Sequence, residues 1–195
     1  MAEEKELLVP LENYLASGVH IGTKQRVGAM KKFVYKIRPD GLCIFDIQKI
    51  DERIRVAANF LARYEPDKIL VVCCREVGRK ACKKFGEVTN IKVVVDRFMP
   101  GTLTNPHLSC HIEPEIIVVT DPSVDYRAIE EALKMRIPII AFCDTNNMAD
   151  NIDLIIPANN KSKKSLALLY YLLAREYLKI RGINAEIKLE DFMDK

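Results

Sequence analysis

What most restricts how this chain can fold is a series of short, uninterrupted apolar runs: KILVVCC (68–74), IKVVV (91–95), EIIVVT (115–120), IPIIAFC (137–143) and DLIIP (153–157). A strand with one wet face alternates apolar and polar side chains. A strand that is apolar throughout is covered on both faces, as in parallel sheets, whose crossover helices lie on both sides. LCIFDI (42–47) reads as an additional strand. Helical patterns lie between the runs. Ile50 to Tyr64 carries apolar residues at Ile50, Ile54, Ala57, Ala58 and Leu61, and Val124 to Met135 follows the start signal Asp121-Pro122-Ser123. Ser162 to Arg181 reads as a long helix stopped by Gly182, and LLVPLENYLASG as a short opening helix. The βαβα order predicts a three-layer α/β sandwich around a mostly parallel sheet of five strands.

At 195 residues, 49% hydrophobic, the chain is expected to form one domain, with a core over 7–182 and a short acidic tail over 183–195. It shows no repeat, low-complexity tract or linker. No stretch reaches ~20 apolar residues, and the opening MAEEKELL is charged where a signal peptide needs a basic then apolar run. A soluble, cytoplasmic protein without membrane association is the expectation. Cys43, Cys73, Cys74 and Cys143 sit inside the apolar runs as small core hydrophobes, and none of the six cysteines is spaced as a secreted disulfide framework or a paired CxxC site.

The net charge of +3 says little, but its distribution says more. Between Gly22 and Arg38 stand six basic residues, Lys24, Arg26, Lys31, Lys32, Lys36 and Arg38, and no acidic one. Asn159-Asn160-Lys161-Ser162-Lys163-Lys164 is a second block, where the last helix begins and its dipole adds to three ammonium groups in attracting an anion. Local fields of this kind hold phosphates despite a near-neutral total; the plainer alternative is a solvated face.

In an open parallel sheet ligands gather beyond the carboxyl ends of the strands, and RFMPGTLTNP (97–106) and CDTNN (143–147) both leave strands there. Gly101 permits close backbone approach, Thr102, Thr104 and Asn105 offer hydrogen bonds to phosphate or ribose, and Arg97 pairs with phosphate. Phe98 either stacks on a base or packs under the loop. The plainer reading of the stretch is a capped turn closed by prolines.

LENYLASGVHIG (11–22), RFMPGTLTNP, PEIIVVTDPSVDYRAIEEALKMRIP (114–138), FCDTNN (142–147) and NNKSKKSLALLYYLLAREYLKIRG (159–182) together resemble protein two of the small ribosomal subunit. The likeness is strongest to its archaeal and eukaryotic branch, which includes ribosomal protein SA, the laminin-receptor precursor. It runs from Leu7 to Gly182 with the motifs in the family's order. The helical hairpin inserted in bacterial members is missing, and the long acidic tail of eukaryotic members is reduced to 183–195, which points to an archaeal protein. The resemblance implies a flavodoxin-like, Rossmann-like sheet without catalysis or cofactor. It implies binding to ribosomal RNA and neighbouring ribosomal proteins where the head of the small subunit meets its body, in support of subunit assembly and translation, and a monomer when free. The family's RNA-facing motifs fall at Lys24, Arg26, Lys31 and Lys32, at Arg97 and Gly101 to Asn105, and at Asn159 to Lys164, which the charge pattern also selects.

Sharper chemistries find weaker support. Gly18 and Gly22 before Thr23-Lys24 fall a residue short of a phosphate loop, with Lys and Thr reversed and no preceding strand. His20 lacks a nucleophile partner at an elbow motif and reads as structural. His107, Cys110 and His111 offer three ligands where a structural zinc site uses four. Asp121 and Asp144 read as capping and turn residues. The alternative function is a small nucleotide-binding α/β protein or enzyme using the same sheet edge.

Overall fold

The computed structural model describes residues 7–183 and 185–193. The chain opens with α1 (Leu11–Ser17) and a 3-10 turn at Gly28–Phe33, then forms the hairpin β1 (Val34–Ile37) and β2 (Cys43–Phe45) and the helix α2 (Ile47–Leu61). It continues through β3 (Ile69–Cys73), α3 (Arg79–Thr89), β4 (Lys92–Val95), β5 (Ile116–Val119), α4 (Tyr126–Met135), β6 (Ile139–Cys143), β7 (Leu154–Pro157) and α5 (Lys163–Ile180). The strands β3 to β7 form one sheet in the order β4-β3-β5-β6-β7, with every pair parallel. Counted from β3, this is the strand order of flavodoxin-like doubly wound folds.

The continuous apolar runs are explained by burial. Every residue of β3, β5 and β6 is buried, while the edge strand β4 is partly open. Helices α2, α3 and α5 pack side by side, with α5 between the other two. Right-handed crossovers then place α4 and the long connection after β4 on the opposite face. Tyr170 of α5 ties the layers together: its ring contacts Phe85 and Phe142, and its hydroxyl lies 2.6 Å from Thr120 Oγ1 at the end of β5.

Several elements differ from the sequence reading. The second helix starts at Ile47 because the Asp46 carboxylate accepts the Gln48 N–H at 3.1 Å, capping it. The fourth starts at Tyr126 because Asp125 uses its carboxylate elsewhere, accepting Cys74 N–H and Asp121 N–H at 2.8 and 3.0 Å. LCIFDI is a strand outside the main sheet, antiparallel to β1. Neither β1 nor α3 was anticipated. The tail is partly docked: Leu189–Phe192 is a 3-10 turn whose buried Phe192 meets Tyr171 edge-on at 6.0 Å.

Candidate nucleic-acid interface

The basic segment 22–38 is held in shape from beneath. Thr145, in the loop after β6, accepts the Thr23 N–H on Oγ1 at 2.9 Å and the Val27 N–H on its carbonyl at 2.8 Å. Gly22 lies so close that an added Cβ would meet Thr145 Cγ2 at 2.6 Å. Met30 and Phe33 are buried plugs, and Asp46 N–H donates to Phe33 O at 3.0 Å. On this frame Lys24, Arg26, Lys31, Lys32, Lys36 and Arg38 all point to solvent. The segment is therefore an ordered, cation-rich hairpin rather than a loose basic stretch.

The second basic block adjoins it. Asn159 N–H donates to Val19 O at 2.9 Å, and its side-chain amide donates to Gly18 O at 3.2 Å. Lys161 Nζ pairs with Asp144 Oδ2 at 3.3 Å and donates to Asn146 Oδ1 at 2.8 Å, which ties the block to the same loop after β6. Lys163 and Lys164 are exposed on the first turn of α5. Asn160 is a correction: it is fully buried, donating to Phe142 O and Asn147 Oδ1 at 3.0 Å each. It cross-links the loops under this surface and is out of a ligand's reach.

The loop RFMPGTLTNP stands apart, at the edge strand β4, with β3 and β5 between it and the hairpin side. Its fold depends on Glu131 of α4, which is 8% exposed and accepts the Gly101 N–H at 2.5 Å and the Leu103 N–H at 2.9 Å. Gly101 adopts φ +95°, a left-handed conformation that favours glycine. Arg97, Thr104 and Asn105 are exposed, with Asn105 Oδ1 accepting the His107 N–H at 3.1 Å. Thr102 is a second correction, since it is buried with its hydroxyl on Met99 O at 2.6 Å. Phe98 is 3% exposed and packs under the loop instead of presenting its ring.

The crevice where the strand order reverses, between the ends of β3 and β5, is where a doubly wound sheet would take a nucleotide. Here Arg75 fills it, its guanidinium paired with the buried Asp121 carboxylate through Nε at 2.9 Å and through an Nη. Asp125 lies beside it, its carboxyl pushed above the usual range by burial. What remains is a cavity of 190 Å³ lined by Cys74, Asp96, Arg97, Phe98 and Val124 to Arg127. Its charged lining is mixed, Asp96 and Asp125 beside Arg97 and Arg127, with no excess of cations to draw a phosphate.

The other chemical residues have local partners. His20 Nδ1 lies 3.4 Å from Tyr14 O, and His111 is held between Thr102 O and Glu113, each at 3.1 Å. Asp121 accepts the Ser123 N–H at 2.9 Å, bracing a turn rather than a helix. Among the described residues no group of three or more His, Cys, Asp and Glu is placed to hold a metal ion, and no helix is long and apolar enough to cross a membrane. One cationic cluster escaped the sequence reading. Arg79, Lys80, Lys83 and Lys84 of α3 line a 620 Å³ groove with Lys163, alongside Glu76, Glu87 and Asp191. Their i, i+1, i+4, i+5 spacing in RKACKK was the available signal.

Comparison with known proteins settles what kind of chain this is. The profile described as "Ribosomal protein S2" matches residues 14–113 and 107–179. The chain belongs to the ribosomal protein S2 family. "Small ribosomal subunit protein uS2" of the archaeon Ignicoccus hospitalis is 57% identical over 178 residues, covering 91% of this chain and 84% of that relative. The protein of the same name from Korarchaeum cryptofilum is 51% identical over 181 residues, covering 93% of this chain and 83% of its own. The chain is thus of the archaeal type, in a family of structural proteins that are not enzymes.

Proposed function

We propose that this chain is a constituent of the small ribosomal subunit that binds ribosomal RNA through its basic hairpin, the first turn of α5 and the loop after β4. It contacts neighbouring ribosomal proteins where the head of the subunit meets the body, within the cytoplasm. It acts as one domain over 7–182 with a short tail over 183–195, monomeric when free. The observation that carries this reading is the hairpin side: six exposed cations between Gly22 and Arg38, with no acidic residue among them, on a backbone fixed by Thr145. A backbone already in place presents these cations without first having to be ordered, and each phosphate neutralised releases condensed counterions.

The contact set is Lys24, Arg26, Lys31, Lys32 and Lys36 on the hairpin, Lys163 and Lys164 on α5, and Arg97, Gly101, Thr104 and Asn105 in the loop. Asn159, Lys161, Asn160 and Thr102 shape the backbone that presents them. The test is re-addition of the full chain to small subunits washed free of it, across a salt series. Neutralisation of ~6 phosphates gives a log–log slope of about −5 on the duplex-DNA scale. Replacing Lys24, Arg26, Lys31 and Lys32 by Ala flattens it by about 3 to 4. A slope that does not change on that replacement would overturn the proposal.

A further inference from the structure

Tyr35 is 76% exposed, the most exposed of the large hydrophobic side chains among the described residues. Its position follows from an irregularity in the hairpin. Val34 pairs with Phe45 and Lys36 with Ile44, so two steps along β1 match one step along β2, and Tyr35 is the extra residue of a β-bulge. A bulge bends its strand and re-aims the residue it frees. A large aromatic ring is thereby turned out to solvent, while its neighbour Phe33, two residues earlier, is buried in the core.

The surroundings of the ring define what it suits. It borders an open cavity of 320 Å³ whose other walls are Arg26, Lys31, Val34, Lys36 and Ile37. Three of these are cations, and no carboxylate lines the cavity. No aromatic ring or cation among the described residues is stacked on Tyr35; the hairpin's cation–π contacts are those of Lys32 and Arg53 with Phe33. An exposed aromatic face sharing a cavity with two ammonium groups and a guanidinium matches an unpaired nucleotide, with its base on the ring and its phosphates on the cations. Among the described residues β1 is also an edge strand, paired only with β2, to which a partner's strand could add. The charged groups of the lining are all cations, which selects the polyanion over that occupant.

We propose that Tyr35 is a stacking platform for one unpaired base of the RNA bound by the hairpin. This rests on the reading of the hairpin as an RNA-binding surface and adds that one nucleotide there is single-stranded. The experiment compares the full chain with Tyr35→Ala, Tyr35→Phe and the fourfold Lys24, Arg26, Lys31 and Lys32 to Ala variant in re-addition to washed small subunits. Irradiation at short wavelength then identifies what cross-links to residue 35. Base–aromatic stacking is worth ~1–3 kcal/mol, so Tyr35→Ala weakens association about 5- to 150-fold with its salt slope unchanged. Tyr35→Phe stays near wild type, and the adduct on Tyr35 is a nucleotide. Folding is an independent control, since truncating a side chain this exposed leaves the unfolding transition of the free chain in place. Wild-type affinity for Tyr35→Ala beside a weakened fourfold variant overturns the platform and leaves the RNA-binding surface standing. Unchanged affinity in both overturns both, and a peptide adduct on Tyr35 overturns the platform in favour of a protein neighbour.

Discussion

The loop after β4 depends on one side chain far from it in sequence, and Glu131→Gln isolates that dependence. The Glu131 carboxylate accepts two loop amides, Gly101 N–H at 2.5 Å and Leu103 N–H at 2.9 Å. A glutamine keeps one accepting oxygen and turns an NH2 toward the other amide, donor against donor. One charge-assisted bond is lost, worth ~1.5–3 kcal/mol, and leaving the Gly101 or Leu103 amide unsatisfied costs ~1–3 kcal/mol. Both costs describe the same broken contact and do not add, so the loss is about 1.5–3 kcal/mol. Amide hydrogen exchange is the direct assay. Protection at Gly101 and Leu103 should fall about 10- to 150-fold while β3, β5 and β6 keep theirs. Wild-type protection at both amides would refute the claim that Glu131 carries the loop.

Other perturbations test the frame around the surface. Arg75→Met strips the buried Asp121 carboxylate of its cation but leaves Ser123 N–H and the Asn147 amide, and should cost about 3–5 kcal/mol. Calorimetry should show Tm lower by roughly 6–20 °C, with partial recovery on adding Asp121→Asn; an unshifted Tm counts against the pair. Gly22→Ala drives a methyl into Thr145, and should cost about 1–3 kcal/mol in urea unfolding and weaken subunit association, whereas wild-type stability would show that Thr145 yields freely. The Cys74 thiol is pushed up to about 12, chiefly by burial and then by the Asp125 carboxylate. Since only the thiolate reacts, its alkylation rate should climb about tenfold per pH unit with no plateau below about pH 11, and a plateau near pH 9 would contradict this.

The central sheet was legible because strands covered on both faces must be apolar at every position, and β3, β5 and β6 are. β1 was not, because VYKI is a bulged edge strand with only Val34 half-buried, so it shows no clean alternation. Its turn, Pro39-Asp40-Gly41, was a visible hairpin signal, and Gly41 takes φ +86° there. The helix α3 was hidden by its lysines and by Gly86, although Ala81, Cys82 and Phe85 share its buried face. The cations of the hairpin were readable as charge alone. Their union with Asn159 to Lys164 was not, because it runs through Thr23 and Thr145, 122 residues apart. Asn160 and Thr102 show the limit of reading polar loop residues as ligands: the side chain that braces a loop from inside is of the same type as the one that meets a partner from outside.

Sucrose-gradient sedimentation of a native lysate, followed for this chain at low and at high salt, tests the central claim most directly. Phosphate-held association predicts co-migration with the small subunit at low salt and release to the top of the gradient as salt rises. A chain at the top of the gradient at both salts would contradict it.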